Sequence, residues 1–204
     1  VLGTWRDAGG GAFMSSSKAF NLLGSDKFCR HDLIPPDTRT INMSSLAEAL
    51  AGKTSQGAPL SPAVKALVVY NSNPAAVCPD QNKVISGLKR EDLFTVVLEH
   101  FQTDTADYAD IVLPATTQLE HWDVHSSYGH FMVQLNEPAI APLGESRPNT
   151  EIFRDLSRRW GLSKDLWDNT DKDLIREVLS NTPNITIEKL LAEGPQRLDL
   201  PNPY

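Results

Sequence analysis

Three groups of polar residues, each placed directly after an apolar run, have side chains suited to holding a ligand. They are Asn71, Ser72 and Asn73; then Glu99, His100 and Thr103; and then Thr116 and Thr117 behind Pro114. A carboxylate at the end of a strand can accept two hydrogen bonds from a ribose diol or from a guanine edge, and Asn and Ser offer short donors and acceptors. The same residue types also form plain turns. The chemistry that they favour is nucleotide binding, and no residue is predicted to be catalytic.

A metal site is the second chemical alternative. His121 and His125 are four residues apart, so on a helix they would share a face and could bind zinc. The general-base Glu of the H-E-x-x-H pattern is absent, and Trp122 occupies its place. Cys29 and Cys78 lack the spacing of metal ligands. The sequence therefore predicts no metal ligands, and a histidine-based metallohydrolase is disfavoured.

Unbroken apolar runs of strand length precede these polar groups. They cover residues 66–70, 94–98 and 111–113, with helices expected over residues 79–87 and 105–109 between them. Strands without alternation are typical of a parallel sheet that is buried on both faces. Strands that alternate with helices in this order predict a three-layer α/β fold, Rossmann-like, with helices on both faces of a parallel sheet.

The flanking residues predict further elements. A helix with a serine cap is expected over residues 44–50, a strand over 131–135, and helices over 149–160, 170–179 and 186–192. The domain prediction has three parts. Residues 1–65 are a Gly-rich loop and irregular or helical lead-in, 66–161 are the α/β core, and 162–204 are a helical extension and linker.

Composition excludes some partners. The chain has 204 residues with a net charge of −7, which disfavours a nucleic-acid partner because such binding depends on Lys and Arg contacts to phosphates. No apolar run approaches the roughly 20 residues of a membrane helix. The first residue is not Met, and no signal peptide is visible. We expect a piece of a longer protein, and the compartment, cytoplasmic or periplasmic in a bacterium, stays open.

Stretches throughout residues 66–161 match a known family in order and spacing. They are Asn71 to Pro74, Leu88 to Val97, Thr103 to Ala106 and Tyr108 to Thr117, and then Glu120, Asp123, Tyr128 to His130, Pro138 to Ile140, Pro142, Gly144 with Glu145, and Asn149 with Glu151 and Phe153. In these stretches the chain resembles the molybdopterin oxidoreductases of the dimethyl-sulfoxide-reductase and formate-dehydrogenase type. A weaker match extends back to the loop at Gly9 to Gly11.

The resemblance implies a cofactor, bis(molybdopterin guanine dinucleotide) with molybdenum or tungsten, of which this domain would hold one guanosine diphosphate end. It implies that Asn71 and Asn73 contact the diphosphate or ribose, that Glu99 grips ribose or guanine, and that Asn149 reads the guanine edge. The full set of cofactor-binding residues that we predict is Asn71, Ser72, Asn73, Glu99, His100, Thr103 and Asn149.

The resemblance also implies what other segments would supply. The family's iron–sulfur cysteines, its molybdenum ligand and its C-terminal barrel have no match here, so we expect a fragment of a two-electron or oxygen-atom-transfer enzyme. The isolated chain is predicted to carry no cofactor and to show no turnover. Its expected partners are the rest of the parent enzyme and an electron-transfer subunit. The alternative is a stand-alone α/β module that binds a nucleotide or a protein without redox activity.

Overall fold

A computed structural model describes residue 20 and residues 30–200 and divides the chain into two compact units. The parallel-sheet unit comprises Pro35–Thr117 and Pro142–Asn149. The antiparallel-sheet unit comprises Gln118–Ala141 and the described residues outside these ranges. The expected loop at Gly9 to Gly11 and the thiol of Cys29 lie outside the described residues. The domain bounds at 65 and 161 stay a prediction.

The parallel-sheet unit contains three strands and three α-helices in its described residues. In chain order they are α1 (Leu46–Leu50), β1 (Ala66–Tyr70), α2 (Pro74–Val77), α3 (Gln81–Leu88), β2 (Phe94–Glu99) and β3 (Ile111–Pro114). Short 3-10 helices cover Met43–Ser45 and Ala106–Tyr108. The strands lie in the order β1-β2-β3 and every pair is parallel. The predicted α/β class with a parallel sheet is confirmed.

The helices of this unit pack on one face of the sheet. Leu67 contacts the cluster that contains Val84 and Leu88 of α3, and Ala106 packs on Val69 and Val97. Strand order β1-β2-β3 advances in one direction across the sheet, so right-handed crossovers bring both connections to the same face. Helices were expected on both faces of the sheet. In the described residues of this unit, the helices pack on one face.

Two helix ends differ from the prediction. The first helical turn starts in the 3-10 helix Met43–Ser45, and its cap is Asn42, whose side chain accepts a hydrogen bond from the backbone N–H of Ser44. Helix α3 was expected to end at Gly87, but Gly87 is buried inside the helix, which continues to Leu88. A Cβ at Gly87 would lie 2.4 Å from Leu50 Cβ. This glycine therefore permits close packing of α1 on α3 and does not stop the helix.

The antiparallel-sheet unit is built from β4 (Asp123–His125), β5 (Met132–Asn136) and β6 (Gln196–Arg197), with α4 (Asn149–Arg159), α5 (Asp171–Leu179) and α6 (Ile187–Glu193). Further 3-10 helices cover His31–Leu33, Gln118–Glu120 and Lys164–Leu166. The strand order is β4-β5-β6 and the pairs are antiparallel. No helix among the described residues is both long and apolar enough to cross a membrane.

Local signals set the helices of this unit. Thr170 and Asp173 form a capping box at the start of α5, and Thr186 caps α6 by accepting a hydrogen bond from the N–H of Lys189. Both helices contribute to a core around Val133, which is fully buried. The helix expected over residues 149–160 ends at Arg159, and its apolar residues are buried only in part, because Ile152 is buried whereas Phe153 is 41% exposed.

Arg90 ties three segments of the parallel-sheet unit together. Its guanidinium donates to the carbonyl oxygens of Leu50 (2.7 Å) and Val64 (3.3 Å) and makes two 2.9 Å hydrogen bonds to the Asp92 carboxylate. Lys65 Nζ lies 2.5 Å from the same carboxylate. The Arg90 guanidinium, with Lys65 beside it, holds the pKa of Asp92 far below its usual range.

Gly87→Ala tests the packing of α1 on α3. Helix propensity alone would favour Ala by about 1 kcal/mol. We expect a net loss of about 1–3 kcal/mol instead, because the new methyl overlaps Leu50. Ser86→Ala, an exposed position in the same helix, is the control and should change the free energy of unfolding by less than about 0.5 kcal/mol. Urea unfolding measures both, and a more stable Gly87→Ala protein would contradict the packing argument.

Asp92→Asn tests the carboxylate between Arg90 and Lys65. Its pKa is lower in the folded state than the ordinary 3.8, so the stabilisation is complete above that value and is lost as the pH falls through the folded pKa. We expect the parent protein to have a higher urea midpoint than Asp92→Asn between about pH 5 and 7, and the difference to shrink below about pH 4. Glu91→Gln is the exposed neighbouring control. A difference independent of pH would contradict the assignment.

Candidate functional site

The ends of the three parallel strands lie side by side. Tyr70 is paired with Leu98, Leu98 with Leu113, and Glu99 with Pro114. The loops that follow the strands therefore leave from one edge of the sheet. This carboxyl edge is where ligands bind in open α/β sheets. We call it the strand-end edge.

The chain turns sharply at Asn71, directly after β1. Asn71 has a φ of 52°, in the left-handed region that Asn tolerates better than most residues. Ser72 follows in a half-buried position, and Asn73 then precedes α2. This left-handed residue turns the chain from β1 towards α2 within a few residues. Asn71 itself is exposed at the strand-end edge.

Asn73 joins the loop after β1 to the loop after β2. Its Oδ1 accepts hydrogen bonds from Thr105 N (3.2 Å) and Thr105 Oγ1 (2.7 Å), and its Nδ2 donates to Asp104 Oδ2 (3.3 Å). Thr105 is fully buried, and its Oγ1 also accepts from Ala75 N at 3.0 Å. Asn73 thus fixes the relative position of two loops and keeps one N–H of its amide for another partner.

Thr105 is the functional-site residue that sequence reasoning missed. The 103–109 segment indicated only a short helix, which the structure shows as the 3-10 helix Ala106–Tyr108. Thr103 does support this turn, since its Oγ1 accepts from Ala106 N at 3.4 Å. The partner of Thr105 lies 32 residues earlier in the chain. No local signal identifies such a distant pair.

Glu99 is the last residue of β2 and is half-buried. Its Oε1 accepts a 2.7 Å hydrogen bond from the N–H of His100, and no described residue donates to its Oε2. The His100 side chain is exposed and packs edge-on against Phe101, with the ring centroids 6.3 Å apart. One carboxylate oxygen of Glu99 is therefore oriented by the backbone, and the other can accept from a ligand hydroxyl.

The segment before α4 brings Asn149 towards the end of β3. Arg147 N donates to Pro114 O (3.0 Å), and Thr116 N donates to Arg147 O (3.2 Å), so this segment runs parallel to residues 114–116. Asn149 follows two residues later as the first residue of α4. Its Oδ1 is buried and has no hydrogen-bond partner within the part of the chain that the structure describes. A buried acceptor that receives no hydrogen bond is energetically unfavourable, and a ligand that offers a donor would satisfy it.

Acidic side chains follow β2 at the strand-end edge, and Arg147 on the segment beside the end of β3 is a basic residue of this edge. Glu99 ends β2 and Asp104 lies in the loop after it, where Asp107 accepts from Gln102 Nε2 at 2.8 Å. The predicted site residues include no Lys or Arg. Carboxylate oxygens accept hydrogen bonds, so the hydroxyl groups of a ribose and the N–H groups of a guanine suit the acidic part of this edge.

Asp110 and the pair His121 and His125 do not contribute a ligand site in the described part of the structure. The carboxylate of Asp110 accepts from Thr95 N at 2.6 Å and so joins β2 to the start of β3. His121 and His125 do not share a helical face, because Asp123–His125 forms strand β4. Within residues 30–200, no three His, Cys, Asp or Glu side chains are grouped as metal ligands.

Known proteins resemble the chain in sequence and in structure. The profile of the family described as molybdopterin oxidoreductase matches residues 38–159, which is more than half of the chain. The Bacillus subtilis protein named "Probable oxidoreductase YoaE" is 40% identical over 185 residues, which cover 90% of this chain and 26% of that protein. The chain therefore belongs to the molybdopterin oxidoreductase family.

Two further relatives agree with this assignment. The F420-dependent formate dehydrogenase subunit alpha of Methanocaldococcus jannaschii is 33% identical over 134 residues, which cover 64% of this chain and 20% of the subunit. The solved structure of acetylene hydratase from Pelobacter acetylenicus matches with a TM-score of 0.63 and 25% identity, covering 80% of this chain and 22% of that one. The chain thus spans about a quarter of the length of such relatives.

Thr105→Val tests the connection between the two loops. Valine keeps the shape but removes the hydroxyl, which leaves Asn73 Oδ1 with one donor fewer and Ala75 N without its acceptor. We expect a loss of about 1–3 kcal/mol in the free energy of unfolding. Thr105→Ser keeps the hydroxyl and should lose less than the valine variant. Equal stability of Thr105→Val and the parent protein in urea would refute the role.

Proposed function

We propose that the strand-end edge holds the guanosine end of a molybdopterin guanine dinucleotide within a longer oxidoreductase polypeptide. The observation that carries this proposal is the buried Asn149 Oδ1, which accepts no hydrogen bond from the described residues. A guanine presents N–H donors, and a buried amide oxygen without a donor suits them. Membership of the family makes a molybdenum–pterin group the expected source of a nucleotide.

The residues divide by the chemistry that they offer. Asn149 would accept from the guanine edge, and the Glu99 carboxylate would accept from ribose hydroxyls. Asn71, Ser72, His100 and Thr103 offer polar groups to the ribose or diphosphate. Asn73 would contribute mainly by holding the two loops in place, since its Oδ1 already accepts two hydrogen bonds.

The bound group would supply two-electron redox or oxygen-atom-transfer chemistry, and the protein would bind and orient it. No residue of this chain is assigned to the chemical step. The second pterin, the molybdenum or tungsten ligand, an iron–sulfur cluster and an electron-transfer subunit would come from other segments or partners. We therefore expect the 204-residue chain alone to give no turnover with viologen dyes.

A nucleotide titration tests the proposed guanosine site. We expect GDP to bind the isolated chain weakly, with a Kd on the order of 1 mM, and to shift the NMR signals of Asn149 and Glu99. ADP should bind at least about five-fold more weakly, because adenine lacks the guanine N1–H and 2-amino donors.

Two variants distinguish specific binding at the guanosine site from nonspecific nucleotide binding. Asn149→Ala should remove the preference for GDP over ADP, and Asn82→Ala, at an exposed position of α3 in the same unit, should keep it. The proposal fails if GDP and ADP bind alike, or if Asn149→Ala leaves the preference intact while the protein remains folded.

A further inference from the structure

The side-chain amide of Asn149 carries a hydrogen-bond acceptor and a donor side by side. Its Oδ1 is buried and receives no hydrogen bond from the described residues, while the residue as a whole is half-buried and so within reach of a ligand. Its Nδ2 is bonded to the same planar amide carbon and carries two N–H groups. A base that donates to Oδ1 therefore brings its neighbouring ring position close to Nδ2.

The backbone before Asn149 is held in place against the end of β3. Arg147 N donates to Pro114 O at 3.0 Å, and Arg147 O accepts from Thr116 N at 3.2 Å. Pro148, the link between Arg147 and Asn149, is buried, and its ring fixes its φ angle. A polar group that is held in one position discriminates between ligands, because a base of the wrong pattern leaves it unpaired.

The Watson–Crick edge of guanine offers two different hydrogen-bond patterns to such a group. Its O6 and N1–H are an acceptor beside a donor, whereas its N1–H and 2-amino group are two adjacent donors. An amide matches the first pattern with both of its polar atoms, since Oδ1 accepts from N1–H while Nδ2 donates to O6. Against the second pattern, an amide has one acceptor for two donors. A carboxylate, with two acceptor oxygens, is the group that matches the second pattern.

We propose that Asn149 recognises the O6 and N1–H pair of the base and does not recognise the 2-amino group, which rests on the proposed guanosine site and adds the edge of the base that it selects. The ligand class is then a 6-oxopurine nucleotide, and hypoxanthine is accepted as readily as guanine. Adenine is rejected at both atoms. Its unprotonated N1 gives Oδ1 no donor, and its 6-amino group places a donor against Nδ2.

Nucleoside diphosphates that differ only in the base test this selectivity in NMR titrations of the 204-residue chain. IDP keeps O6 and N1–H but lacks the 2-amino group, and we expect its Kd to lie within about two-fold of that of GDP. The diphosphate of 2,6-diaminopurine riboside keeps the 2-amino group but lacks O6 and N1–H. It should bind at least about five-fold more weakly than GDP, as ADP does, because both polar atoms of the amide are then mismatched.

Asn149→Asp changes the amide into a carboxylate and should change the edge that is recognised. We expect this variant to prefer GDP over IDP by at least about five-fold, because a carboxylate accepts from both N1–H and the 2-amino group. Asn82→Asp, at an exposed position of α3 in the same unit, adds the same charge and should leave GDP and IDP within about two-fold of each other. Ratios within one protein cancel the repulsion between the added charge and the diphosphate.

The outcomes separate the selected edge from the site itself. Equal binding of GDP and ADP would refute the guanosine site and this inference together. If GDP is preferred to ADP but IDP binds as weakly as ADP, or the diaminopurine nucleotide binds as tightly as GDP, the guanosine site stands and the recognition of O6 and N1–H is wrong. These comparisons use the unsubstituted chain, so they hold even if Asn149→Asp does not fold. A folded Asn149→Asp protein that binds GDP and IDP alike would also overturn the inference.

Discussion

The hydrogen bonds between Asn73 and Thr105 hold together the two loops that form the strand-end edge. Parallel pairing places the ends of β1 and β2 side by side, but loops of this kind can leave a sheet in many directions. Thr105 lies buried between them, donating to Asn73 Oδ1 and accepting from the backbone of Ala75. Because the buried Thr105 hydroxyl both donates and accepts a hydrogen bond, it restricts the two loops to one relative arrangement. This arrangement sets the positions of the other polar groups at the strand-end edge.

Asn149 shows how the same edge is extended by a segment from elsewhere in the chain. The hydrogen bonds of Arg147 to residues 114 and 116 bring the start of α4 to the end of β3. The amide oxygen of Asn149 is then buried without a donor. Stability alone does not favour such an atom, whereas in the proposed site a guanine N–H would donate to it. The acidic character of the edge agrees with a ligand that offers hydrogen-bond donors.

The two faces of the parallel sheet differ in how far their apolar side chains are exposed. On one face Val69 and Val97 are buried and Val112 is exposed at the edge strand, and on the other face Leu98 is buried whereas Val68, Phe94 and Ile111 are exposed. Because crossovers are right-handed, the strand order places both connections of this unit on the same face. The amino-acid types do not explain the difference, since they are apolar on both faces.

Sequence alone determined the elements whose causes are local. The bounds of β1, Ala66–Tyr70, were predicted correctly because an apolar run ends at a turn-forming Asn. The helices over residues 170–179 and 186–192 were also predicted, and the structure shows the local reason, since Thr170 and Thr186 cap them within three residues. The family was recognised from the order of short stretches, and the profile match confirms it.

Only the tertiary structure decided what depends on residues distant in the chain. Gly87 was expected to end a helix, but its place inside α3 follows from the approach of Leu50, some 37 positions earlier. Asn73 was predicted to be a ligand residue, and its bonds to Thr105 became visible only when the two loops met. The partial exposure of apolar strands could not be read from composition, because an apolar run is the same whether a helix covers it or not. Local pattern fixes secondary structure, whereas burial and pairing are properties of the assembled chain.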